Sequence, residues 1–172
     1  MSNLRYQSMD VFLAHAVALE QEAVEQLNEV AQMMAVHNNE ELHKLFSELA
    51  GFGVEHANSI MALAGHRQLP GYKPWEYEWP DDESPELGEL STLGYQMTPQ
   101  QALEFALGSE IRAQKFYLDI AEHGQTEDIR ILARAFADEE GEHVQILKER
   151  LENTGDVSPD WHADLDPPHM PE

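Results

Sequence analysis

The chain has 172 residues, 42% of them hydrophobic, with no cysteine and with 10 Lys and Arg against 33 Asp and Glu, a net charge of -23. That length suits one domain with a sizeable core, and the missing cysteines exclude disulfides, iron–sulfur clusters, thiolate zinc sites and a cysteine nucleophile. Nucleic acid and anionic membranes both demand a basic footprint, so the charge excludes them as partners and leaves cations as the natural ligands.

No run approaches the roughly 18 apolar residues of a membrane span. The opening "MSNLRYQSMDVFLAHAVALEQ" lacks the basic start, apolar stretch and cleavage site of a signal peptide. A cytoplasmic location is therefore expected.

Four segments carry apolar residues at helical spacing with few helix breakers. The first is expected from about Asp10 to Val36 and the second from about Asn39 to Ala64. Between about 66 and 98 lie four prolines with several Gly and Asp, which argue against helix or central strand and make this stretch a long crossover. Its alternating Trp75, Tyr77 and Trp79 are expected to pin it against the helices. The third helix follows Thr98-Pro99, an N-cap and first-turn pair, and reaches about His123. The fourth spans about Thr126 to Glu152 and stops before Thr154-Gly155. Short links join the first helix to the second and the third to the fourth, so each pair reads as an antiparallel hairpin. Residues 1–153 then form the domain, and 154–172, with His162 and His169 among aspartates, read as an extended or disordered acidic tail.

The two hairpins repeat one another. "ALEQEAVEQLNEVA" (18–31) aligns with "GSEIRAQKFYLDIA" (108–121), and "LFSELAGFGVEH" (45–56) with "LARAFADEEGEH" (132–143). Each hairpin therefore offers one Glu on its first helix and one His on its second. A helical Glu is usually a solvated surface residue, and its neighbours decide the matter. Glu20 shares a stripe with Leu13, Ala16, Ala23 and Leu27; Glu110 with Leu103, Ala106, Ala113 and Tyr117; Glu140 with Ala133, Phe136, Val144 and Leu147. All three are expected to face the core, whereas Glu22, Glu55 and Glu142 read as solvent charges. His56 lies among Leu49, Phe52, Ile60 and Leu63, and His143 among Phe136, Ile146 and Leu147. A lone core histidine is more often a hydrogen-bonded structural residue than a ligand, but two recur here at matching positions. Three ionised carboxylates buried together repel one another and cost several kcal/mol each if unpaired. A bound cation is the economical remedy. Carboxylate and imidazole ligands without sulfur suit iron, manganese or zinc.

At this point the residues resemble the ferritin-like, rubrerythrin-type di-iron carboxylate proteins, over roughly residues 8–66 and 98–153. The resemblance rests on Glu20 with Ala23, on His56, on Glu110 with Ala113 and Tyr117, and on the "EEGEH" that carries Glu140 and His143. It implies an all-α, ferritin-like four-helix bundle of two antiparallel hairpins joined by a long crossover. It further implies two iron ions, held by Glu20 and Glu110 as terminal ligands, Glu140 as a bridge, and His56 and His143 as nitrogen ligands. Chemistry with peroxide or dioxygen, handling of ferrous iron, and a homodimer follow from the same likeness.

Two departures stand out. The chain lacks the cysteine-based rubredoxin module, so peroxide reduction would require an external electron donor. Gly53 occupies the position of a second bridging Glu, leaving five protein ligands, which suits a single ion as well as a pair. Gly53 and nearby Gly51 imply an open coordination position, a widened helix, or close approach of another backbone. A non-enzymatic iron storage or delivery protein, or a structural bundle with a degenerate or zinc-filled site, are the alternatives.

Overall fold

A computed structural model of the chain describes residues 8–73, 76–77, 79 and 97–155, without the side chains of 154 and 155. Within them lie four helices and no strand: α1 (Met9–Val36), α2 (Glu40–Ala64), α3 (Pro99–His123) and α4 (Glu127–Gly155). The tail with His162 and His169, most of the crossover and Trp75 lie outside the described residues.

Local chemistry sets the helix ends. The Ser8 side chain accepts from Val11 N–H, and Asn39 Oδ1 from Leu42 N–H at 3.1 Å. Thr98 and Gln101 form a reciprocal capping box with Pro99 as the first helical residue. Thr126 Oγ1 accepts from Ile129 N–H at 3.3 Å. Gly65, at φ 57°, ends α2 in the left-handed region that a side chain would disfavour. Helix α4 continues through Thr154 to Gly155, one turn beyond the expected Glu152.

The backbones approach most closely within two pairs, α1 with α2 and α3 with α4, which is the expected pair of hairpins. Two hydrophobic clusters fix the helix directions. One gathers the early part of α1 (Phe12, Leu13, Leu19), the end of α2 (Ile60, Ala64), the end of α3 (Phe116, Tyr117, Ile120) and the early part of α4 (Ile129, Ala133, Phe136). The other gathers the opposite portions: Leu27, Val30 and Met34; Leu42, Phe46 and Leu49; Leu103 and Ala106; Leu147. Hence α1 runs parallel to α4, and α2 parallel to α3. The chain leaves α2 at one end of the bundle and enters α3 at the other. Since α2 has 25 residues, that return covers roughly 37 Å. This geometry explains a connection far longer than a helix hairpin needs.

Trp79 belongs to the first cluster, and Met97 to the second. Tyr77 and Trp79 meet the buried His15 edge-on, each with ring centroids 5.1 Å away, and Trp79 also meets Phe116 at 5.5 Å. These aromatics do pin the crossover to α1 and α3. Three stripe assignments are corrected. Phe52, Leu63 and Ile146 are exposed although their helical phase placed them with His56 and His143. The apolar stripes on α2 and α4 are narrower than the sequence suggests, and these residues fall on their edges.

Candidate metal centre

Glu20, His56, Glu110 and Glu140 are buried and His143 nearly so, each near the middle of its helix between the two hydrophobic clusters. Four separate helices bring these five side chains together. Their ligand atoms fall into two overlapping groups, Glu20–His56–Glu140 and Glu110–Glu140–His143, with all atoms in each within 4.8 Å of one another.

Glu140 belongs to both groups, and its two oxygens divide between them. Oε1 lies 4.0 Å from His56 Nδ1, and Oε2 lies 3.5 Å from His143 Nδ1. His56 Nδ1 also lies 3.0 Å from Glu20 Oε1, and His143 Nδ1 lies 3.7 Å from Glu110 Oε1. The arrangement is a pseudo-twofold one, each half pairing a first-helix Glu with a second-helix His across one shared carboxylate. Tyr117, fully buried, donates its hydroxyl to Glu20 Oε1 at 3.0 Å. That bond orients the carboxylate.

The residues fit a divalent cation on two counts. Neither ring nitrogen of buried His56 has an aligned hydrogen bond, an expensive state unless something else ligates it. Three carboxylates also crowd a volume that water scarcely reaches. The imidazoles carry part of this load. Burial alone would lower the pKa of His56, but the Glu20 contact and charge, with the Glu139 charge, outweigh it and raise it. For His143, burial is likewise overcome by Glu110, aided by the charges of Glu20 and Glu139. Burial would raise Glu110, yet His143 and Glu140, with the charge of His56, hold it below the usual carboxylate range.

Glu139 was not among the expected site residues. Its Oε2 lies 2.9 Å from His56 Nε2, on the ring edge opposite the other carboxylates. Stripe analysis passes over it because it sits on the flank of α4, directly before Glu140. The available signal was its position four residues before His143, on the same edge of the helix. Glu55 and Glu142 are exposed as expected. Glu22 is corrected: it is half-buried, with Oε2 shielded from solvent, and its charge helps raise the Tyr77 pKa after burial of that phenol.

At Gly53 a Cβ would meet Val24 Cγ2 at 2.8 Å and the Glu20 carbonyl at 4.0 Å. Helix α2 is unbroken there, so it is not widened, and the tight neighbour is the Val24 side chain of α1 rather than a backbone; Gly51 faces open space. Gly53→Ala should therefore destabilise the chain by about 1–3 kcal/mol through overpacking, despite the ~1 kcal/mol that Ala gains over Gly in a helix. Adding Val24→Ala should recover most of that loss, as denaturant unfolding of the single and double variants would reveal. A Gly53→Ala chain as stable as wild type would remove steric contact as the reason for glycine here.

Residues 101–160 match the family described as Rubrerythrin. The chain also resembles a solved structure, an uncharacterized conserved protein from Magnetospirillum magnetotacticum MS-1. Identity is 36% over 85% of this chain and 95% of that one, with a TM-score of 0.72. No curated protein matches the chain.

Proposed function

The chain belongs to the rubrerythrin family of ferritin-like proteins, and from that premise we propose that its centre binds a pair of iron ions and serves peroxide or dioxygen reduction. The observation that carries this reading is the division of the Glu140 oxygens between His56 and His143. One carboxylate directed both ways would serve two adjacent cation positions, with Glu20 and Glu110 as the outer ligands. Bound iron would supply the electrons for reducing the oxidant, chemistry that oxygen and nitrogen ligands with open positions support.

The protein's own groups prepare the site. The carboxylates offset cation charge, and the two hydrophobic clusters exclude bulk water from both ends. Tyr117 holds Glu20 in orientation. With no cysteine in the chain, electrons would come from an external donor. A cytoplasmic homodimer, with the bundle reaching the end of α4 at Gly155 and the following residues as an acidic tail, completes the proposal. No described helix is long and apolar enough to cross a membrane.

Iron storage or delivery is the second reading, favoured by Gly53, which leaves the α2 side of the pair without a bridging carboxylate. Anaerobic loading of the apoprotein with ferrous iron, followed by peroxide and an artificial reductant, separates them. Two irons per chain with repeated peroxide consumption support the enzyme. One exchangeable iron without turnover supports carriage.

A further inference from the structure

A cation must reach the buried carboxylates by some route, and the structure closes most of them. Above and below the site the two hydrophobic clusters fill the bundle axis. Along the α1–α2 seam, Val24 presses on Gly53; along the α3–α4 seam, the Gln114 amide lies 2.8 Å from where a Gly141 Cβ would sit. Between α1 and α3 stand fully buried Ala113 and the Tyr117–Glu20 hydrogen bond.

The α2–α4 seam differs. His143, with a side chain 15% exposed, is the most accessible of the five ligands, and it lies here. Phe52 of α2, 48% exposed, stacks on its imidazole with ring centroids 6.0 Å apart and planes 21° apart. Glu139 of α4 has a side chain 52% exposed, yet it touches His56, whose side chain is 6% exposed. Thus one carboxylate spans the distance from solvent to a buried ring whose nitrogens lack aligned hydrogen bonds.

We propose that the α2–α4 seam is the port by which divalent cations enter the centre, with Glu139 as the outer carboxylate that receives them and Phe52 as the movable cover. This rests on the reading of the five buried residues as a metal site. A hydrated cation drawn by the acidic surface exchanges water for Glu139 oxygen, passes His56, and arrives between Glu20 and Glu140. Phe52 contributes no ligand; its ring must swing off His143 for the seam to widen.

The test is stopped-flow uptake of Co2+ by the full-length apoprotein, followed by the visible absorption of the bound ion, with final stoichiometry measured separately. Glu139→Gln is expected to slow uptake about tenfold, the low end of the rate effect of a charged cleft, without changing the final occupancy. Phe52→Ala should speed uptake. Glu55→Gln and Glu142→Gln remove equal charge from exposed side chains, and should stay within about twofold of wild type. Added salt should narrow the gap between wild type and Glu139→Gln, a response that a purely structural role would not give. Unchanged rates in both the Glu139 and Phe52 variants would overturn the port while leaving the metal centre standing. So would a Glu139→Gln chain with normal rate and lowered occupancy, which would make Glu139 a positioning residue for His56. Wild-type protein that takes up no Co2+ would overturn the metal centre and the port together.

Discussion

Glu140→Gln and Glu140→Ala are expected to abolish stoichiometric metal binding while leaving the apoprotein at least as stable as wild type. Glu140 is the one side chain common to both candidate ligand groups, so its loss would damage both proposed cation positions at once, whereas loss of Glu20 or Glu110 would damage one. Its carboxylate is also buried with two others. Removing one of three crowded carboxyl groups relieves a burden that only a cation, a shared proton or the protonated imidazoles otherwise offset. Metal analysis after dialysis, paired with thermal unfolding with and without added metal, reads both effects. At a free metal concentration of 100 times Kd, wild type should gain about 2.7 kcal/mol of stability, and the variants almost none. A residue that costs apoprotein stability and confers ligand binding is what a functional site predicts. Wild-type stoichiometry in Glu140→Ala would show that Glu140 is not the shared ligand.

Apoprotein stability and metal affinity should depend on pH in opposite directions across neutrality. His56 and His143 have folded pKa values raised by their carboxylate neighbours. Their contribution to stability is complete below the ordinary histidine value of about 6.5, and it is lost as pH rises through the raised values. Glu110 is shifted the other way. Its contribution is present above the ordinary Glu value of about 4.3, and it is lost as pH falls through the lower folded one. For these three groups together, the apoprotein should be most stable between about pH 4.3 and 6.5, and weaker toward pH 8. Metal requires both imidazoles neutral, so ions bind by displacing protons. Affinity should climb with pH, by up to about two powers of ten per unit if both histidines are charged in the apoprotein. Denaturant midpoints of the apoprotein and competitive metal titrations from pH 5 to 8 (roughly the span of histidine titration) would reveal the crossing. Apoprotein stability that rises steadily through neutrality would contradict charged, paired histidines in the metal-free site.

Much of the bundle was legible before any tertiary contact was known. Apolar spacing placed four helices within a few residues of their ends, and Thr98-Pro99 marked the start of α3. Stripe membership identified Glu20, Glu110 and Glu140 as inward-facing, and all three are buried. The same reasoning failed at the stripe edges. Phe52, Leu63 and Ile146 have suitable helical phase but lie beyond the width that neighbouring helices cover. Glu22 is half-buried, and its charge reaches Tyr77 in a segment remote in sequence.

The sequence by itself determined the helices, their pairing into hairpins and the five inward-facing candidate ligands. These follow from local periodicity, from end caps, and from the cost of burying charge. Only the tertiary structure decided that the two oxygens of Glu140 face different histidines, that Val24 occupies the space beside Gly53, and that Glu139 reaches His56 from the flank of α4. It also decided that α1 runs parallel to α4, which obliges the chain between α2 and α3 to travel the length of the bundle. Each of these depends on the rotation and separation of helices that meet only after folding, quantities that no single-helix pattern specifies.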